Sequence, residues 1–417
     1  MNAVLTLIER RYPLFYDLGT KRLRLVLAFF AALYLAIAAV MWAGLIATSE
    51  DLFTRAGPII GGDFIVFQHA AARAGDPDVA ALYEMKTLKA ELEARYPGHG
   101  EMNFGWMYPP TMFLLVAPFG DAPYLAAYAG WVAAFGAIFL IVLYRLWADR
   151  WAMFFAVSAP PFFQAIITGQ NGLLTAALLA LAGGFAERRP VIAGVAAGLL
   201  TIKPQLGVLI PLAFAAAGCW RAVFWAGATA LSVAALSVAA FGPEIWAAFI
   251  DGLLAHGGRM TTAGFPFEKL VTPFSFAMML GAPSAIAGGA QAAATLSLAA
   301  YVFFIWRRVK DADLRLATLA TAALMATPYA FYYEFVIALP AIFVMARRAV
   351  ETGWLKGEKL SLIGLWLLTM QAPGDDVVPS LSVCALSAFA AFAIVARRAL
   401  PAGGVRFASA RSPATAG

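Results

Sequence analysis

Residues 25–47 read LVLAFFAALYLAIAAVMWAGLIA, a run from Leu25 to Ala47 without a single charge. A helix crosses a bilayer in roughly 20 apolar residues. The run is therefore long enough to span, and too long for a strand or a short core helix. It follows Arg10, Arg11, Lys21, Arg22 and Arg24, and basic residues hold the flank of a span in the cytoplasm. The block exceeds the apolar part of a signal peptide, and no small-residue cleavage site follows it closely. An uncleaved first span entering from the cytoplasm is expected.

The rest of the chain has the same character. Of 417 residues, 62% are hydrophobic and only 13% are charged, against roughly half and a quarter in an average soluble domain. This excludes a disordered chain. The apolar blocks are continuous rather than alternating, which points to helices and away from an outer-membrane barrel. The net charge of +6 and pI near 9.3 would suit a nucleic-acid partner. The basic residues instead form short clusters between apolar blocks: Arg145 with Arg150, Arg188 with Arg189, Arg221, Arg307 to Arg315, Arg347 to Lys359, and Arg397 to Arg411. With all of these and the N-terminal group on the cytoplasmic side, that side holds 22 of 30 basic and 8 of 24 acidic residues. Such asymmetry sets orientation. Cys219 and Cys384 lie in separate apolar stretches, and two buried thiols are expected rather than a metal or redox pair.

Pairing the blocks between cytoplasmic clusters predicts an all-α polytopic membrane protein with about 12 spans and both termini inside. The expected spans are 25–47, 123–146, 151–168, 172–187, 190–202, 206–219, 222–241, 285–306, 315–328, 334–347, 360–372 and 380–397. Two further apolar pieces, 108–120 and 270–282, break the parity and are expected as half-membrane or interfacial helices on the outer side. Residues 1–400 read as one transmembrane domain and 401–417 as a flexible cytoplasmic tail. A first outer loop covers about 48–108 and a second about 242–272. Within the first, Asp78 to Arg95 has helical spacing and reads as a surface helix. Loops this long usually carry function.

The chain has no phosphate-binding P-loop, no pair of histidines at helical spacing and no GxSxG elbow. Cytosolic nucleotide chemistry is excluded, so an enzyme of this kind would draw on a donor that the membrane presents. Its three histidines, His69, His99 and His256, all fall on the expected outer side. Polar groups at span ends are expensive and are kept mainly where used, and five such signals converge there. Asp63 follows Gly61-Gly62 and is either a solvated cap or a general base. Tyr108-Pro109-Pro110 is a rigid helix start with an interfacial tyrosine. Thr168-Gly169-Gln170-Asn171-Gly172 is a tight turn whose amides cap helices or bind sugar hydroxyls. Lys203, in Lys203-Pro204-Gln205, either snorkels to the interface or meets a lipid phosphate. Glu334 ends Pro328-Tyr329-Ala330-Phe331-Tyr332-Tyr333-Glu334, where an aromatic belt explains the tyrosines better than the acid.

The order of these motifs, from Asp63 to Glu334, resembles glycosyltransferase family 87, the polyprenol-phosphate-mannose-dependent mannosyltransferases and their bacterial relatives. The resemblance runs over about Gly61 to Pro340. It implies a GT-C type membrane bundle with its active site away from the cytoplasm and a polyprenyl-phosphate sugar as donor. The acceptor would be a hydroxyl of a lipid-linked or cell-envelope glycan, attacked with inversion, and Asp63 would match the family's base. Lys203 is the first candidate to meet the leaving phosphate, with Arg259 or Lys269 of the second outer loop as alternates and His256 nearby. Gln170, Asn171 and Gln205 would orient the sugar, and Tyr108 and Tyr329 would stack on it. Characterised mannosyltransferases of the family carry a histidine pair where this chain has Tyr333 and Glu334, a pair that other relatives share. The implied donor is therefore a hexose or pentose. No cofactor or metal ion is expected, with an ion shared by Asp63 and Glu334 as the alternative. The expected location is a bacterial inner membrane.

A transporter or flippase of lipid-linked saccharides would also have many spans and interfacial cations. It usually shows inverted repeats and midplane binding, and no internal repeat is evident here. A ligase moving a whole glycan would share an outward-facing site.

Overall fold

The computed structural model describes residues 20–55, 57–257, 265–370 and 383–399. These are all-α apart from three isolated β-bridges, Glu50 to Phe53, Phe53 to Ile59 and Leu270 to Phe331. The chain begins with α1 (Thr20–Ala47), then α2 (Phe64–Arg73) and α3 (Met85–Arg95). The predicted surface helix at 78–95 is a 3-10 turn, Val79–Tyr83, followed by α3. Next come α4 (Thr111–Val116), α5 (Tyr124–Trp147), α6 (Arg150–Val157), α7 (Pro160–Ile167), α8 (Gly172–Phe185) and α9 (Pro190–Leu199). They are followed by α10 (Pro204–Gly207), α11 (Ile210–Ala217), α12 (Trp220–Phe241), α13 (Glu244–Gly257) and α14 (Pro273–Met279). The chain continues through α15 (Ser284–Arg308), α16 (Ala312–Met325), α17 (Leu339–Thr352), α18 (Glu358–Thr369) and α19 (Val383–Ala399).

The expected bundle of about 12 spans is overturned. Among the described residues four helices are long and apolar enough to cross a membrane: Arg24–Ala47 of α1, α5, α12 and α15. Among the described residues most of the other expected spans are short or broken, while 360–372 and 380–397 run partly outside the described residues. Residues 151–168 fall into α6 and α7, parted at Ser158 and Ala159 ahead of Pro160. Residues 206–219 divide between α10 and α11, and 334–347 between a 3-10 segment, Tyr332–Ala338, and α17. At 14 residues, α8 and α16 each rise only about 21 Å, short of a hydrocarbon core about 30 Å thick. The parity pieces are shorter still, α4 with 6 residues and α14 with 7.

The physical reason is that apolarity signals burial, in protein as much as in lipid. Helices α8 and α16 are apolar nearly all round because other helices cover them; from Leu314 to Met325 every residue of α16 is buried. A helix hydrophobic on all sides is either a core helix or a span. In the long helices the apolar side chains face outward instead, as with Phe29, Val40, Leu231 and Leu296, the last three more than 70% exposed. Cys384 is buried but Cys219 is half-buried, and neither forms a disulfide. The expected tail at 401–417 lies outside the described residues.

Candidate active site

The site is assembled from two glycine turns that touch. Asp63 immediately precedes α2, and its N–H donates to the Thr168 carbonyl at 3.0 Å. Gly61 and Gly169 both have positive φ, +82° and +61°. A Cβ on Gly169 would stand 2.4 Å from the Gly61 oxygen and 2.5 Å from the Phe64 Cβ. Only glycine fits where the two backbones meet. Helix α5 underpins both turns. The Tyr124 hydroxyl donates to the Ile60 carbonyl at 2.7 Å and the Tyr128 hydroxyl to the Ile166 carbonyl at 2.8 Å. Phe64 packs among Tyr124, Tyr128 and Trp131.

The turns bring polar side chains together across large sequence distances. Gln170 Nε2 donates to Asp63 Oδ2 at 2.6 Å. Gln170 Oε1 accepts from the Tyr108 hydroxyl at 3.0 Å and from Lys203 Nζ at 3.3 Å. These two donors fix which end of the amide faces Asp63. Lys203 sits between two short helical turns, Leu200–Ile202 and α10, and its ammonium pairs with Glu334. The Tyr108 and Tyr333 rings lie 5.4 and 5.5 Å from that ammonium, within cation–π range. The Thr175 hydroxyl reaches the other Glu334 oxygen at 3.5 Å.

This network forms one wall of a cavity of about 870 Å³. Of the residues singled out in the sequence, Asp63, Tyr108, Gln170, Lys203, Gln205, Lys269, Tyr329, Tyr333 and Glu334 line it. Asn171 does not. It is fully buried behind the turn, and its amide points at the Met112 sulfur, 3.9 Å away. Gln170 faces the cavity and Asn171, its neighbour in the turn, is directed away from it. His256 is in the last turn of α13 with its side chain outside the described residues, and Arg259 also lies outside them. The idea of an ion shared by Asp63 and Glu334 meets a different arrangement: each carboxylate already has its own partner, Gln170 and Lys203.

Several lining residues escaped the sequence reading. Trp42 and Leu45 come from the last turns of α1, Thr54 and Asn103 from the long first loop, and Phe265 from the aromatic segment beside Lys269. Trp42 carried one usable signal, a tryptophan near a span end, where interfacial anchors concentrate. Asn103 and Thr54 carried none.

Burial pushes the Asp63 carboxyl above the usual aspartate range, while the Gln170 hydrogen bond and the charges of Lys203 and Lys269 pull it back part of the way. Burial also raises the Tyr108 and Tyr333 hydroxyls well above the ordinary tyrosine value, and Tyr329 is pushed up to about 12. All three stay protonated donors at neutral pH. The site thus combines one elevated carboxylate, two ammonium groups and a tyrosine-rich wall. That suits proton abstraction from a hydroxyl beside an anionic group.

No curated protein and no solved structure matches the chain. Residues 106–328 match the model of glycosyltransferase family 87. The match takes in Tyr108, Gln170, Lys203 and Lys269, while Asp63 and Glu334 flank it. Spanning more than half of the 417 residues, it shows that the chain belongs to glycosyltransferase family 87.

Proposed function

We propose that this glycosyltransferase moves a sugar, with inversion, from a polyprenyl-phosphate-linked donor to an acceptor hydroxyl of a lipid-linked or cell-envelope glycan. The reaction takes place on the extracytoplasmic face of a bacterial inner membrane. The four long helices anchor the chain there. Their basic residues support the orientation. Arg22 and Arg24 start α1, Arg221 starts α12, Arg145 ends α5, and Arg307 with Arg308 ends α15. Read as cytoplasmic, these ends leave the opposite end of α1, with Trp42 and Leu45, on the cavity side.

The chemistry follows from Asp63. One of its oxygens, Oδ2, is held by Gln170, and Oδ1 carries no hydrogen bond within the described residues. The free oxygen accepts the proton of the acceptor hydroxyl as that hydroxyl attacks the anomeric carbon. The bond from that carbon to the phosphate oxygen breaks, and the lipid phosphate leaves with the electron pair. Burial makes Asp63 a stronger base than a surface aspartate. The Tyr108, Tyr329 and Tyr333 rings offer flat faces to a pyranose or furanose, and Gln205 offers an amide to its hydroxyls. The observation that carries this reading is a half-buried carboxylate in a cavity wall with one oxygen anchored and one free.

The test is transfer by purified full-length protein from radiolabelled undecaprenyl- and decaprenyl-phosphate hexoses and pentoses to a lipid-glycan extract. Wild type is expected to form product, and Asp63→Asn to form about 10²–10⁴-fold less while still folded. Equal product from both would remove Asp63 as base. Absence of product from every donor, with folded wild type, would remove the donor class.

A further inference from the structure

The cavity has two lysines in different electrostatic states. Lys203 is 5% exposed and already matched: Glu334 neutralises it, Gln170 Oε1 takes a second N–H, and two tyrosine rings flank it. A buried ammonium so enclosed has no charge left to offer a ligand without abandoning Glu334, which is 3% exposed. Leaving that carboxylate unpaired in the interior would be costly. Lys269 is half-buried, lines the same cavity and forms no ion pair within the described residues. It is near enough to Asp63 to help hold that carboxyl down.

Its backbone is fixed. Lys269 closes the 3-10 turn Phe267–Lys269, and the next residue, Leu270, forms the β-bridge with Phe331. The Val271 N–H donates to the Ala330 carbonyl at 2.9 Å. The turn that carries Lys269 is thereby bound to the Tyr329–Glu334 segment on the cavity wall.

We propose that Lys269 is the residue that binds the donor phosphate and the departing lipid phosphate, and that Lys203 is a positioning residue for Gln170 and Glu334. This rests on the transfer reaction proposed above, and reverses the order in which the sequence suggested the two lysines. In that reaction a phosphodiester with one negative charge becomes a phosphomonoester with two, while the hydroxyl proton passes to Asp63. A fixed cation lowers the barrier only if it gains interaction as that charge grows. Lys203 is already spent on Glu334, whereas Lys269 is uncommitted.

The test measures binding of undecaprenyl phosphate and of uncharged undecaprenol to the full-length protein in detergent, together with transfer kinetics. The proteins compared are wild type, Lys269→Met, Lys269→Arg and the double variant Lys203→Met/Glu334→Leu, which removes both partners at once. Lys269→Met is expected to lose at least about tenfold in affinity for the phosphate lipid and none for undecaprenol, and Lys269→Arg to recover most of the loss. The double variant is expected to keep phosphate-lipid binding and to lose kcat at saturating donor. Unchanged phosphate-lipid binding by Lys269→Met, with wild type active, would overturn the assignment and leave the transfer reaction standing. Loss of binding in the double variant but not in Lys269→Met would return the role to Lys203. Wild type that neither binds the phosphate lipid nor transfers would overturn both the assignment and the reaction on which it rests.

Discussion

Two buried ion pairs of this protein look alike by exposure and differ in surroundings. The side chains of Lys203 and Glu334 are 6% and 4% exposed, those of Arg398 and Glu358 8% and 2%. Arg398 grips Glu358 with two guanidinium nitrogens, and its Nη2 also donates to the Gly353 carbonyl at 2.8 Å. Its Nη1 reaches the Thr352 hydroxyl at 3.1 Å, and the Leu355 N–H donates to Glu358 at 2.9 Å. The pair locks the end of α17, the start of α18 and the end of α19. Such a planar, two-pronged contact is what arginine is suited to. Lys203 instead makes a point contact to Glu334 and faces a cavity, next to a carboxylate oxygen and a second lysine that have no partner among the described residues. A buried charge is therefore no mark of a site by itself. Unused bonding capacity beside open space is.

The largest effect is expected at Asp63, where Asn removes the base while leaving the Gln170 contact possible. Transfer should fall about 10²–10⁴-fold, with the melting temperature unchanged by calorimetry. Arg398→Leu should do the reverse. It strands Glu358 in the interior and should cost about 3–5 kcal/mol of stability, seen as a lower denaturation midpoint, with the transfer rate per folded molecule retained. A large fall in specific transfer by folded Arg398→Leu would erase the distinction.

The Lys203 pair should behave as a hybrid. Lys203→Met alone leaves Glu334 unpaired and should lower both stability and turnover. Adding Glu334→Leu should restore most of the stability, because replacing both members of a buried pair is often near neutral. Turnover should stay low, because Gln170 loses its Lys203 donor. A double variant as active as wild type would make the pair purely structural.

The polar site was more legible in the sequence than the fold. Asp63, Gln170, Lys203 and Glu334 stood out because a charged or amide group amid apolar residues has few reasons to be there, and all four meet at one wall. Legibility failed where direction within a turn mattered: Gln170 and Asn171 are neighbours, yet one faces the cavity and the other Met112. It failed more broadly for the spans. The apolar run 172–187 reads much as 25–47 does, but α8 is short and packed inside the protein whereas α1 exposes Phe29 and Val40. Composition records that a side chain avoids water and leaves open what replaces the water. Helix length does distinguish the two, and it is set by local breaks such as Ser158-Ala159-Pro160, which the apolar run obscured. Lys269 was visible only as an alternate, because its value lies in what Lys203 is already bound to, a contact 131 residues apart in sequence.

The most direct test of the account is the pH dependence of kcat/KM for wild type and Gln170→Leu. Asp63 must be ionised to accept a proton, so the rate falls as pH drops through its pKa. Burial raises that pKa above the ordinary aspartate value, and the Gln170 hydrogen bond opposes the rise. An acid limb above the usual aspartate range is expected in wild type, displaced to still higher pH in Gln170→Leu. An acid limb that stays in place, or moves to lower pH, would contradict the assignment of Asp63 as the base held by Gln170.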